Sequence, residues 1–214
     1  MAPRSLVWTI VVGGGSGSRF GRPKQYEPLG DERVIDRSRR IAELVSDGVV
    51  VVVPASDSER EGGVVGGDTR SASVRAGLAA LPADVDIVLV HDAARPFAST
   101  GLYQRVIAAV VDGADGAVPG IAVADTIKMV DPNGRVVATP DRSTLVAVQT
   151  PQGFRRAALA AAHFAGGEAT DDAALVEAHG GRVVVVEGEP DNRKITVPAD
   201  LEWARSHLST MVGS

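Results

Sequence analysis

The sequence predicts an α/β fold: a mainly parallel β-sheet with helices on both faces and one β-hairpin protruding from it. Three observations predict it. Short β-branched runs alternate with helical patterns along the chain, which is how βαβ units read in sequence. The runs are continuously apolar, as strands covered on both faces are. The segment Asp131-Pro132-Asn133-Gly134 interrupts that rhythm with a strong turn signal.

Taken in order, strands are expected at residues 6–12, 49–53, 86–90, 116–123 and 182–186. Helices are expected at 33–46, 71–81, 101–111, 155–165, 171–179 and 198–207. The first apolar run could imitate the short core of a signal peptide. A glycine-rich loop follows it, not a small-residue cleavage pattern, so a core strand is the reading. Ser71 is placed to cap the second helix, and Pro198 suits the first turn of the last. Two short strands around the turn at 131–134 would make a hairpin over 126–137. No internal repeat, low-complexity tract or linker divides the chain, so one domain with an arm is expected.

Composition bounds what such a domain can do. Its 214 residues suffice to bury a substantial core. A hydrophobic content of 44% and a charged content of 23% are ordinary for a folded soluble protein. The net charge of -5 argues against a general nucleic-acid or membrane-surface binder, which carries a basic footprint. No apolar run approaches the ~20 residues that span a bilayer. The expected location is therefore the cytoplasm, with no nucleic-acid or membrane partner. The absence of cysteine excludes a disulfide framework and a thiolate metal site.

The loop after the first strand reads Gly13-Gly14-Gly15-Ser16-Gly17-Ser18-Arg19. Glycine lets backbone N–H groups converge on a phosphate with no Cβ in the way. A flexible linker does not sit between a core strand and the rest of its domain. A Walker A loop fails because no Gly-Lys-Ser/Thr ends it. A dinucleotide fingerprint fits poorly, since Gly13-x-Gly15 leads to Ser18 where a third glycine should stand. The loop alone says phosphate. Arg19 closes it and Pro23-Lys24-Gln25-Tyr26 follows, which places two cations near any triphosphate held there. Fixed cations stabilise the charge that develops on a phosphorus under attack. Lys24 is one of three lysines, with Lys128 and Lys194, and all three fall in motif segments.

Other candidates follow in chain order. Gly66-Gly67-Asp68-Thr69-Arg70-Ser71 is a small-residue turn entering a helix at Ser73, able to cradle a base or ribose or simply to connect a strand to a helix. His91-Asp92-Ala93-Ala94-Arg95-Pro96 lies at the carboxyl end of a strand, where open α/β sheets bind ligands. Asp92 there suits Mg²⁺, which takes one or two carboxylates plus phosphate oxygens and waters, or else serves as a turn or cap residue. Arg95 is spaced to turn toward the same crevice, and His91 reads as structural. Asp125-Thr126-Ile127-Lys128 begins the hairpin and Asp141-Arg142 lies just past it. Gln149-Thr150-Pro151-Gln152 and Asp191-Asn192-Arg193-Lys194-Ile195-Thr196 add polar groups. His163 and His179 read as ordinary helix residues.

In sequence order these motifs resemble the 2-C-methyl-D-erythritol 4-phosphate cytidylyltransferase family over nearly the whole chain. The segments that carry the resemblance are Gly15-x-Gly17-x-Arg19, Pro23-Lys24-Gln25-Tyr26, Gly66-Gly67-x-x-Arg70-x-x-Ser73-Val74 and His91-Asp92-Ala93-Ala94-Arg95-Pro96. Asp125-Thr126-Ile127-Lys128, Gln149-Thr150-Pro151-Gln152, Thr170-Asp171-Asp172 and Asp191-Asn192-x-Lys194-Ile195-Thr196 complete the set. The resemblance implies a Rossmann-like three-layer nucleotidyltransferase fold. It further implies an arm at about 124–143 that interlocks two subunits of a homodimer. The substrates implied are CTP and a sugar-alcohol phosphate, with Mg²⁺ as the metal.

Residue roles come with it. Gly13, Gly14, Gly15, Ser16, Gly17 and Ser18, with Lys24, would hold the triphosphate, and Arg19 and Lys24 would stabilise the pentavalent phosphorus. Gly66, Gly67, Asp68 and Ser73 would lie at the cytosine and ribose, with Ala93 also on the nucleotide. Asp92 would hold Mg²⁺, helped by Asp191. Lys194 and Arg142 would position the acceptor's phosphate, and Arg95, Thr126, Thr150 and Thr170 would line the substrate. Thr126 and Arg142 would reach the partner subunit's site.

The chain also departs from the family pattern. The family usually has Pro-Ala-Ala where this chain has Gly13 and Gly14 before Gly15, and Met where it has Phe20. Before Asp125 the usual Pro and Arg are replaced by Ala122 and Ala124, and residues 54–65 look short for the helix and strand the family commonly fits there. The rivals are ribitol-5-phosphate cytidylyltransferase and a catalytically inactive nucleotide-binding regulatory relative. Guanylyltransferases share the fold and opening loop, but Asp92-Ala93-Ala94-Arg95-Pro96 points away from them.

Overall fold

The apolar runs become strands because their β-branched side chains pack on both faces of a pleated sheet. The structure is a computed structural model that describes residues 4–15 and 20–212. In chain order it runs β1 (Val7–Val12), β2 (Pro28–Leu29), β3 (Glu32–Arg33), α1 (Val34–Glu43), β4 (Gly48–Val53), α2 (Ser58–Glu61) and β5 (Val64–Val65). Next come α3 (Arg70–Ala79), β6 (Ile87–Asp92), α4 (Thr100–Val111), β7 (Gly116–Ala122), β8 (Met129–Val130), β9 (Val136–Ala138) and β10 (Val146–Val148). The chain ends with β11 (Gln152–Arg155), α5 (Arg156–Phe164), α6 (Asp172–Ala178), β12 (Val183–Glu187) and α7 (Pro198–Val212).

The central sheet follows the order β10-β7-β11-β6-β1-β4-β5, with β12 also paired to β7. β1 lies parallel to β4 and β6, β4 to β5, and β7 to β12. β10 and β11 run antiparallel. Both pair with β7, at Gly120–Ala122 and Gly116–Ala117 respectively, so together they act as one interrupted strand. The registers matter for function. Val12 pairs with Asp92 and with Val52, so β1, β4 and β6 end level and deliver Gly13, Pro54 and Ala93 to one edge.

Alternate side chains of the strands feed two cores. One holds Val7, Val11, Val51, Val53 and Leu89 against Ile35 of α1 and Leu102, Tyr103 and Val106 of α4. The other holds Ile10, Val50, Val52, Val88 and Val90 with Val74 of α3, Leu159 of α5 and Val176 of α6. This is the three-layer arrangement. A third cluster joins Phe20, Leu29, Val34, Phe97 and Ile195 to Leu201 and Ala204 of α7. That helix thereby ties the segment carrying Lys24 to the segment carrying Lys194.

Several elements differ from expectation. Residues 54–65 are long enough after all: α2 and β5 both fit, closed by Gly62 at φ +58. α3 begins at Arg70 and is capped by Thr69, whose hydroxyl accepts from Ala72 N at 3.0 Å, so Ser71 lies inside the helix. α1 ends three residues early and α7 continues to Val212. β11 has no apolar run, and its place is set by packing. Phe154 is fully buried, and a Cβ on Gly153 would come within 2.5 Å of Val106. The hairpin at 126–137 does form, as β8 and β9, with Gly134 at φ +79 and the Asp131 carboxylate accepting from the Asn133 and Arg135 amides.

Candidate active site

The level ends of β1, β4 and β6 open onto a cavity of about 790 Å³. This is the carboxyl edge of the parallel strands, where the chain turns outward on both sides of β1. The lining brings together most of the nucleotide-side candidates: Gly13, Gly14, Gly15, Lys24, Gly66, Gly67, Asp68, Ser73, Asp92, Ala93 and Lys194. Ser16, Gly17, Ser18 and Arg19 lie outside the described residues.

The glycines have distinct physical reasons. A Cβ on Gly13 would sit 3.0 Å from Ile35 Cδ1, and its amide donates to Val52 O at 2.7 Å, so this residue is wedged over β4. Gly15 has nothing within 4 Å of such a Cβ, so its face is open. Gly66 and Gly67 are bare because α3 starts against them: a Cβ would fall 2.8 Å from Ser73 Oγ and 2.4 Å from Ala72 Cβ. Ser73 is buried and donates its hydroxyl to Thr69 O at 3.0 Å. Gln25, also buried, donates Nε2 to Gly13 O at 2.8 Å, fixing the start of the loop to the segment that carries Lys24. Burial works to raise the Asp200 carboxyl, but hydrogen bonds from Thr196 and the Val197 amide hold it low, with a smaller contribution from the charge of Lys24.

Asp92 is the electrostatic centre. Lys194 Nζ donates to its Oδ2 at 2.5 Å, and Arg70 Nε lies 3.5 Å from its Oδ1. Burial works against its ionisation. Lys194, Arg70 and Arg95 outweigh that and hold the carboxyl well below the usual range. It is therefore a carboxylate at any working pH.

Its backbone is fixed from beneath. Asp92 N donates to Thr150 Oγ1 at 3.0 Å, so the Thr150 hydroxyl is left to donate to His91 Nδ1 at 3.2 Å. His91 Nε2–H then donates to Arg95 O at 3.1 Å. Burial pushes the His91 imidazole down to about 4, so it is neutral, and this single tautomer satisfies the chain. The structural reading of His91 fits this geometry.

Other predicted residues lie apart from the cavity lining. Arg95 braces the rim, Nη1 donating to Asn192 O at 2.7 Å. Thr150 is buried below Asp92. Thr170 is exposed beside Asp171, which caps α6. Asp191 is exposed, its carboxylate 3.8 Å from His207 Nε2. Thr126 and Arg142 sit at the base of the hairpin, where Arg142 Nη1 donates to Ala124 O at 2.6 Å. Among the described residues, no three His, Cys, Asp or Glu side chains cluster to hold a metal by themselves.

Sequence reasoning gave no role to Arg70, Gln25, Asp172 or His163. Arg70 lines the cavity and donates Nη1 to Asp172 Oδ2 at 2.6 Å, and His163 Nε2 lies 3.0 Å from Asp172 Oδ1. Arg70, Gln25 and Asp172 stood inside quoted motifs. The Asp172–His163 pair had no readable signal, because its two members come from different helices.

Comparison with known proteins agrees with this geometry. The family model described as 2-C-methyl-D-erythritol 4-phosphate cytidylyltransferase matches residues 7–210. The chain is 46% identical over 226 residues to a protein of Anaeromyxobacter dehalogenans named bifunctional enzyme IspD/IspF, covering 96% of this chain and 58% of that one. It thus spans little more than half the length of such bifunctional relatives. A Frankia casuarinae protein named 2-C-methyl-D-erythritol 4-phosphate cytidylyltransferase is 44% identical, covering 95% of this chain and 81% of that one. The solved structure of the enzyme of that name from Thermus thermophilus superposes with a TM-score of 0.80 at 34% identity, covering 94% of this chain and 98% of that one. The fold is the Rossmann-like three-layer nucleotidyltransferase fold, and the chain belongs to the 2-C-methyl-D-erythritol 4-phosphate cytidylyltransferase family.

Proposed function

We propose that this chain transfers CMP from CTP to the phosphate of 2-C-methyl-D-erythritol 4-phosphate, giving 4-diphosphocytidyl-2-C-methyl-D-erythritol and pyrophosphate. The observation that carries the reading is convergence. Motifs separated by up to 181 positions, from Gly13 to Lys194, meet around one cavity at the carboxyl edge of the sheet. In the reaction an oxygen of the acceptor phosphate attacks the α-phosphorus in line. The new O–P bond forms as the bond to the bridging oxygen breaks, and pyrophosphate leaves with the electron pair. A phosphate is already ionised at neutral pH, so no general base is needed. Catalysis rests on positioning and on fixed charge.

The open glycine face at Gly15 and the pinned carbonyl of Gly13 suit a backbone cradle for the triphosphate. Gly66, Gly67, Asp68 and Ser73 form the wall for base and ribose, with Ala93 on the floor. By the family resemblance, Arg19 and Lys24 would stabilise the pentavalent α-phosphorus. Lys194 and Arg142 position the acceptor's phosphate.

The donor set fits Mg²⁺, which favours carboxylate, phosphate and water oxygens. Asp92 is ionised and lines the cavity, and the triphosphate would bring the remaining oxygens. Asp191 would have to turn away from His207 to join it. When bound, the ion neutralises phosphate charge and polarises the α-phosphoryl group.

The same reading makes the chain a single cytidylyltransferase domain with an arm at about 124–143, working as a homodimer in the cytoplasm. Two features support it. Thr126 and Arg142 stand away from their own cavity, and the hairpin exposes Met129, Val130, Val136 and Val137 to solvent. Among the described residues no helix is long and apolar enough to cross a membrane.

Isotope transfer tests the chemistry. With ¹⁸O in the acceptor phosphate, all label should stay in the diphosphate product and none should reach pyrophosphate. Labelled pyrophosphate would contradict attack at the α-phosphorus.

A further inference from the structure

Arg70 lines the cavity, but the shortest bond of its guanidinium is made to a side chain outside the lining. Nη1 donates to Asp172 Oδ2 at 2.6 Å, whereas Nε is 3.5 Å from Asp92 Oδ1. An ordinary N–H···O bond spans about 2.7–3.2 Å, so Arg70 grips Asp172 and only leans on Asp92. The two oxygens of Asp92 are therefore unequal. Oδ2 is held by Lys194 at 2.5 Å, and Oδ1 is held loosely.

The anchor itself is firm. Asp172, the first residue of α6, is fully buried, and His163 of α5 is buried beside it. A buried carboxylate persists only when paired and hydrogen-bonded. His163 Nε2 takes Oδ1 at 3.0 Å, which leaves Oδ2 for Arg70. The helices that carry the pair are locked by Leu159, Ala162, Ala173 and Val176 in the core.

We infer that Asp172, seated by His163, is a positioning residue that holds Arg70 back from Asp92 and so keeps Asp92 Oδ1 available to a divalent cation. This rests on the reading of Asp92 as the metal-holding carboxylate. Without the anchor, Arg70 closes on Asp92 as a two-bonded ion pair, the arrangement a guanidinium prefers with a carboxylate. A cation must then compete with it.

The test is calorimetric titration of α,β-methylene-CTP, a non-reacting analogue, into the full chain with Mg²⁺ and with EDTA. The readout is the factor by which Mg²⁺ tightens binding. Asp172→Asn should cut that factor about tenfold or more, as loss of groups around a metal ligand does. Asp172→Asn combined with Arg70→Gln removes the competitor as well and should restore the factor. Arg70→Gln alone should keep or raise it. An unchanged factor in Asp172→Asn, or no recovery in the double variant, overturns the inference. So does a lowered factor in Arg70→Gln, a result that stands even if Asp172→Asn fails to fold. Asp92→Asn separates the two levels. An unchanged factor there removes the reading of Asp92 and the inference with it. A collapsed factor there beside an unchanged Asp172→Asn overturns the inference alone.

Discussion

Replacing Lys194 with methionine removes the closest cation from Asp92 while keeping a flexible chain of similar length. The Lys194 ammonium lies 2.5 Å from Asp92 Oδ2, and the Asp92 side chain is 12% exposed. The variant leaves a largely buried carboxylate facing Arg70 at 3.5 Å and the more distant charge of Arg95. Breaking one side of a fully buried pair costs about 3–5 kcal/mol. The Lys194 side chain is 37% exposed, so solvent already screens part of that attraction. The expected loss is about 1–2 kcal/mol at pH 7. The sign of its pH dependence follows from Asp92. Burial opposes ionisation, but Lys194 and Arg70 prevail and the folded value lies below the unfolded one. Such a group contributes stability that is fully present above the unfolded value of about 3.9 and is lost as pH falls through the folded value. Lys194→Met raises the folded value while the unfolded chain is common to both proteins. The gap between them is therefore full above the variant's folded value and narrows only as pH falls through it toward the parent's. Urea unfolding in EDTA, followed by tryptophan fluorescence at pH 7, 5 and 3, measures it. A gap that is absent at pH 7, or that widens as the pH falls, would refute the electrostatic reasoning.

Lys24→Ala should lower kcat about 10²–10³-fold while weakening CTP binding far less, because its charge acts mainly in the transition state. Steady-state kinetics beside direct binding checks this, and an unchanged kcat would sink the assignment. Gly67→Ala and Gly15→Ala should behave oppositely. The first puts a Cβ 2.4 Å from Ala72 and should destabilise the fold by about 1–3 kcal/mol. The second meets open space and should leave the melting temperature unchanged while raising the KM for CTP. Equal effects of the two on melting would count against the packing account. Arg142→Ala should raise the acceptor KM and spare CTP binding, and an effect on CTP alone would contradict its placement.

The long strands were legible because burial on both faces leaves an unbroken apolar run, as in Val49 to Val53 or Ile87 to Val90. Elements held by their neighbours were not. β11 contributes one large apolar side chain, Phe154, and exists because β6 and β7 supply partners on both sides. Thr69 and Ser71 are equally able to cap a helix, and the structure uses Thr69. In the site, polar residues standing where apolar runs end gave away Gly13 to Gly15 and Asp92. The resemblance, not the pattern, supplied roles for Lys194 and Arg142. The Arg70–Asp172–His163 relay was invisible because Arg70 and Asp172 are 102 residues apart. Sequence spacing carries no trace of a contact made through the core.

The central claim is that the cavity at the carboxyl edge of the sheet joins CTP to 2-C-methyl-D-erythritol 4-phosphate. Pyrophosphate release with CTP and Mg²⁺ tests it most directly, with that acceptor set against ribitol 5-phosphate. Turnover with methylerythritol phosphate alone, abolished in Asp92→Asn, is the predicted result. Turnover with ribitol 5-phosphate instead, or release that survives Asp92→Asn undiminished, would contradict it.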